Sequence, residues 1–281
     1  MNITDEENLL KIVKDLKRNY KYSVAREKIL SNYQKNINNI KNANLLRTLA
    51  ECYYKDLELH KDFSFDMALK TLSLISEDDK EEETLCLKGA IYKRKWEYKA
   101  NLDDLYKSIE YYKNAYENHK EKDKGYGGIN ASYLYDVLSN ELKDIDLEYS
   151  EKNSIKANKL RADIIDSFKD EKKDKWLCHT LAQAYLGNNK LEECKKILVE
   201  SSNTFECDDW EIFTTYKQLK LLADIKNINN LDCLLPLLGE NKHILEQSLD
   251  KKGLALSGGG FRASFFQLGT LAKLAECDML K

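Results

Sequence analysis

Leu177-Cys-His-Thr-Leu-Ala-Gln-Ala-Tyr-Leu-Gly-Asn-Asn-Lys-Leu-Glu-Glu-Cys-Lys-Lys-Ile-Leu198 reads as two short helices joined by a tight turn. Leu181, Ala182 and Tyr185 share one face of the first helix. Gly187-Asn188-Asn189 makes the turn, with residue types that punctuate helical patterns. Cys194 and Leu198 face back from the second helix. The small residue of the second helix, Cys194, follows the small residue of the first, Ala182, by 12 positions.

The same offset recurs at the start of the chain, where Ile12, Val13 and Leu16 are answered by Ala25 and Ile29, with Ala25 again 12 after Val13. These offsets match the tetratricopeptide pattern. Two further units are stretched. Leu49, Ala50 and Tyr53 are answered by Ala68 and Leu72, and Gly89 and Tyr92 by Ser108 and Tyr112. The insertions amount to roughly two helical turns, so the repeat is degenerate. The pattern predicts about twelve helices, near 5–18, 21–34, 42–58, 64–76, 82–95, 102–119, 128–140, 150–170, 173–187, 190–202, 208–226 and 230–248. One helix pair cannot bury its apolar face alone, so stacked neighbours must share a core. The expected fold class is therefore all-α, a helical-repeat solenoid over residues 1–248, with a concave face that takes a protein or peptide partner. The aromatic residues, 17 of them tyrosine, are read as packing between helices.

Two stretches carry a more specific resemblance. Gly125-Tyr-Gly-Gly-Ile-Asn-Ala-Ser-Tyr-Leu-Tyr135 resembles the "GINA" helix start of the TRAF-binding, tetratricopeptide-like region found in apoptosis-signal-regulating kinases and many bacterial proteins. Lys175 to Gly187, followed by Asp209-Trp-Glu-Ile-Phe-Thr-Thr-Tyr-Lys-Gln-Leu219, is similar to that family's last two units in order and spacing. The resemblance spans about residues 1–230 and implies a regulatory, partner-binding solenoid. It does not imply that TRAF proteins are the partners, and its motif residues are core positions.

Bulk properties agree with a helical body. The chain has 281 residues, one proline and 11 glycines, with 33% charged and 42% hydrophobic residues. A net charge of -3 gives no general footprint for nucleic acid. Lysine runs such as Lys172–Lys173 and Lys195–Lys196 have acidic neighbours and read as solvated helix faces. No apolar run approaches the roughly 20 residues of a membrane span. The N-terminus lacks a basic start followed by an apolar stretch. Seven scattered cysteines suit a reducing cytosol, and neither they nor the four histidines show metal-ligand spacing. No cofactor is expected, and the expected location is cytoplasmic, peripheral to a membrane in the intact protein.

The segment Gly253-Leu-Ala-Leu-Ser-Gly-Gly-Gly-Phe-Arg-Ala-Ser264 breaks the helical pattern. It reads as a short apolar strand, a glycine turn and the start of a helix. Phe261, Phe265, Leu268, Ala272, Ala275 and Met279 form the apolar stripe of that helix. Three readings compete. A nucleotide loop would need G-x-x-x-x-G-K-[ST] or G-x-G-x-x-G, and neither is present. A tight structural turn is the second. The third is an oxyanion hole, whose preset N–H donors stabilise the developing negative oxygen in acyl transfer.

The residues resemble the opening of the patatin-like phospholipase family and its cytosolic phospholipase A2 relatives: a strand, then G-G-G-x-[RK], then a helix. Gly258, Gly259, Gly260, Phe261 and Arg262 fit it. Ser257 and Ala263 stand where patatins often have Asp and Gly. The resemblance implies that the N–H groups of Gly258, Gly259 and Gly260 form the oxyanion hole and that Arg262 meets a lipid phosphate or orients the loop. It further implies a membrane lipid as substrate of the intact protein. The family's G-x-S-x-G nucleophile does not occur in these residues. Residues 252–281 are thus expected to be the truncated start of an α/β acyl-hydrolase domain, a strand–turn–helix fragment inactive as it stands, because a serine needs a positioned base to attack an ester. The alternative is a non-catalytic tetratricopeptide-like adaptor with a vestigial tail.

Overall fold

The computed structural model describes residues 3–76, 81–207 and 209–238. The helices are α1 (Ile3–Arg18), α2 (Tyr22–Asn32), α3 (Ala43–Lys55), α4 (Lys61–Leu72), α5 (Glu82–Lys99), α6 (Leu102–Asn118), α7 (Lys120–Asp123), α8 (Tyr126–Leu142), α9 (Leu147–Phe168), α10 (Lys175–Gly187), α11 (Leu191–Thr204), α12 (Asp209–Ile225) and α13 (Leu235–Leu238). No strand occurs among the described residues. They fall within one unit, Met1–Gly239. The expected strand–turn–helix at 252–281 lies outside the described residues, as does most of the last expected helix.

Each expected helix pair forms, and the predicted small residues sit where the helices meet. Val13, Ala25 and Ile29 are fully buried between α1 and α2. Ala182, Cys194 and Leu198 are fully buried between α10 and α11. Asn189 adopts a left-handed conformation at φ 58°. That turn brings the Lys190 N–H to the Tyr185 carbonyl at 2.8 Å and satisfies the end of α10. Asn42, Asn101, Asp146 and Asp174 accept N–H bonds at the starts of α3, α6, α9 and α10, which answers donors that a helix cannot satisfy internally.

The stretched units differ in how they absorb their insertions. In the second pair, α4 begins about a turn earlier relative to Ala68, and a longer connection, Asp56–His60, precedes it. In the third, the extra length lies in the helices themselves: α5 has 18 residues and α6 has 17. There Gly89 brings α5 onto α6. A Cβ at Gly89 would lie 2.8 Å from the Tyr112 ring, and the Ser108 hydroxyl donates to the Gly89 carbonyl at 2.7 Å.

Two apolar clusters fill the unit. One runs from α1 to α4 and takes in Ile91 of α5; the other runs from Cys86 of α5 to Leu237 of α13. The first helices of successive pairs also touch: α1 with α3, α3 with α5, α8 with α10 and α10 with α12.

The short helix α7 has no counterpart in the sequence pattern, and it supplies the cap for α8. Both carboxylate oxygens of Asp123 accept from the Gly127 N–H, at 2.8 and 2.9 Å. Gly127 and Gly128 are required by proximity: a Cβ would lie 2.6 Å from the Tyr112 carbonyl oxygen at the first and 2.9 Å from the Tyr116 ring at the second. Burial pushes the Asp123 carboxyl up to about 6 despite these bonds.

A buried ion network ties the later helices together. Arg161 of α9 is fully buried and donates to Asp136 of α8 at 2.5 Å, to Asn158 at 2.8 Å and to Asn188 at 3.0 Å. Lys226, just after α12, reaches the other Asp136 oxygen at 2.8 Å. Gly187 leaves room for the guanidinium, since a Cβ there would stand 2.6 Å from Arg161 Nε.

Two predictions follow from these contacts. Arg161→Met leaves a buried carboxylate with one partner and should destabilise the unit by about 3 kcal/mol in urea unfolding. Gly187→Ala should also destabilise, but much less when combined with Arg161→Met, because the clash is with the guanidinium. Asp123 has a folded pKa raised above its unfolded value, so its own contribution to stability is largest near pH 4 and below and is lost as pH rises through about 6. Asp123→Asn lacks that titration. The stability of wild type minus that of the variant should fall by about 2–3 kcal/mol between pH 4 and 7.

Candidate functional site

Two polar arrays lie among the first helices of the pairs. The first is a ladder between α10 and α12, with rungs one turn apart. Lys175 pairs with Glu211 at 2.6 Å, His179 Nδ1 meets the Thr215 hydroxyl at 3.1 Å, and Gln218 donates to Gln183 at 2.8 Å. His179 and Thr215 are buried. Burial holds the imidazole below its usual pKa, so it stays neutral near pH 7. The rungs form a strut between neighbouring pairs, while the other ring nitrogen of His179, Nε2, is buried with no hydrogen-bond partner. Arg47 plays a similar part between α3 and α5, donating to the Thr84 hydroxyl at 2.9 Å.

The second array is built from lysine, arginine and tyrosine on α5, α6 and α8. Lys93 of α5 sits 4.8 Å from the centre of the Tyr133 ring of α8. It makes no ion pair among the described residues. Burial is the main cause that lowers its pKa to about 8; Glu97 opposes the shift, and Arg94 and Lys217 add to it. Arg94 is paired with Glu97 at 2.5 Å.

Tyr126 meets Tyr112 edge to face at 6.4 Å. Burial raises the phenols of Tyr54, Tyr112, Tyr126 and Tyr133, with Tyr133 reaching about 12. Yet Tyr126 keeps 51% of its surface open and Arg94 is exposed. Tyr112 and Tyr133 are buried and do the packing expected of the aromatics, and Tyr126 packs on Tyr112 while half exposed. The Lys93–Tyr133 contact was not visible in the sequence, because nothing in the spacing of the two residues relates them.

A depression between α1 and α2, lined by Asp5, Asn8, Leu9, Ile12, Lys28 and Asn32, mixes acid, base and amide without convergent charge. No group of His, Cys, Asp and Glu among the described residues could hold a metal ion. No helix of the described residues is long and apolar enough to cross a membrane. Gly258, Gly259, Gly260 and Arg262, the residues expected to carry catalysis, lie outside the described residues.

Comparison with curated proteins finds no significant match. Residues 21–135, from the start of α2 into α8, match the model of the family TPR-S, Tetratricopeptide Repeats-Sensor, so the part of the chain that holds the stretched pairs and the GINA-like helix start is similar to a tetratricopeptide repeat sensor domain.

Proposed function

We propose that the helical unit is the regulatory part of a patatin-like acyl hydrolase whose catalytic domain opens at about residue 252. Tetratricopeptide-like repeats generally serve protein–protein interaction, and the match at 21–135 supports that role for the unit. The observation that carries the hydrolase half is Gly258-Gly-Gly-Phe-Arg262, with an apolar run before it and an amphipathic stripe after it. In this reading the N–H groups of Gly258, Gly259 and Gly260 stabilise the tetrahedral oxyanion, and Arg262 meets a lipid phosphate. A serine–aspartate dyad, absent from these 281 residues, would attack a fatty-acyl ester. The solenoid would gate that reaction by holding a partner. The TRAF-binding resemblance adds the same regulatory sense and names no partner.

The second reading is a non-catalytic adaptor with a vestigial tail, which the repeat-sensor match at 21–135 would suit equally. The 281-residue chain is expected not to label with a serine-directed fluorophosphonate; labelling would overturn the assignment of its nucleophile elsewhere. In a protein carrying these residues together with a G-x-S-x-G segment, Gly259→Val should lower ester hydrolysis by roughly 100-fold and leave partner capture unchanged. Unchanged hydrolysis would sink the oxyanion reading. Deleting residues 251–281 should leave the stability and partner binding of an adaptor intact.

A further inference from the structure

The ladder between α10 and α12 contains a group that the fold leaves half satisfied. His179 is 3% exposed, its Nδ1 meets the Thr215 hydroxyl at 3.1 Å, and its Nε2 is buried with no hydrogen-bond partner. The rungs on either side, Lys175 with Glu211 and Gln183 with Gln218, join the same two helices. Trp176, itself exposed, packs edge to face on the imidazole with ring centres 6.2 Å apart. A neutral imidazole carries one N–H and one acceptor nitrogen, and either tautomer can meet Thr215, because a hydroxyl both donates and accepts. An imidazolium carries two N–H groups. Its Nδ1–H can still donate to Thr215, but its Nε2–H would be a charged donor buried without an acceptor. The closed junction rejects that form far more strongly than the neutral one, so a proton on His179 demands that the ring reach water.

We propose that His179 is an acid-sensitive latch between α10 and α12: the neutral ring sits closed in the junction, and its protonation opens it. The inference goes beyond the hydrolase reading and does not depend on it. Burial is the main cause that lowers the folded pKa of His179; Glu211 of α12 opposes the shift and Lys175 of α10 adds to it. These are the charged groups that act on the ring among the described residues; α8, α9 and α11, which also pack on α10, bring none. With the folded value below an unfolded value of about 6.5, the open form takes up the proton first as pH falls. The stability that the latch contributes is whole above about pH 7 and declines as pH falls through about 6.5 toward the folded value, by up to about tenfold in the opening equilibrium for each pH unit. Asp123, at about 6, acts in the opposite direction at the start of α8, so the latch is read as a difference between wild type and variant.

The test is hydrogen–deuterium exchange of the full chain at about pH 7.5 and about pH 5.5, corrected for the intrinsic pH dependence of exchange, together with an NMR titration of the His179 ring. Peptides from α12 are expected to lose protection by roughly threefold to tenfold on acidification, while α3, in the other apolar cluster, changes little. His179→Gln, which does not titrate, should remove most of that loss at α12. The wild-type ring should titrate below about 6.5 in the folded chain. That measurement and the comparison of α12 with α3 need no variant, so they decide the matter even where His179→Gln fails to fold. Equal loss in wild type and variant, equal loss at α3 and α12, no loss at α12 in the wild type, or a ring that titrates at or above about 6.5 would each overturn the proposal.

Discussion

The bond from buried Arg161 to Asp136 is the constraint around which the later helices are arranged. A guanidinium with no solvent contact must satisfy its donors inside the protein, and it does so with Asp136, Asn158 and Asn188. That demand fixes α9 against α8 and the end of α10. Lys226 then anchors the end of α12 to the same carboxylate. A buried pair of this kind adds little net stability over an apolar substitute, but removing one partner is costly. Its effect is to make one arrangement of four helices far better than its neighbours. Gly187 belongs to this device, because any side chain there would displace the guanidinium.

The same chain leaves other charges without such satisfaction. On α10 and α12 each rung of the polar ladder joins two side chains, although His179 Nε2 is buried without a hydrogen-bond partner. Lys93 makes no ion pair among the described residues and lies against the Tyr133 ring, which supplies a face but no counter-charge. The ladder joins α10 to α12, and the Lys93–Tyr133 contact joins α5 to α8.

Much of the repeat was legible from residue spacing. Ala182 with Cys194, Val13 with Ala25, and Gly89 with Ser108 identified the helix pairs because tight contacts between helices require small side chains at fixed offsets. The GINA-like stretch marked the start of α8, and its glycines are explained by the approach of α6 and by the Asp123 cap. The spacing did not reveal α7, a single turn too short to show periodicity. It also gave no sign of the Lys93–Tyr133 contact, because side chains that meet across separate helix pairs leave no local pattern.

By itself, the sequence determined the all-helical class, the pairing of neighbouring helices and the motif Gly258-Gly-Gly-Phe-Arg262, since each depends on residues close together in the chain. Only the tertiary structure decided that Arg161 is buried on Asp136, that His179 Nδ1 meets Thr215, and that Lys93 lies on the Tyr133 ring. These contacts join residues from different helix pairs. Stacking sets which helix faces meet, and that is a property of the assembled core rather than of any segment within it.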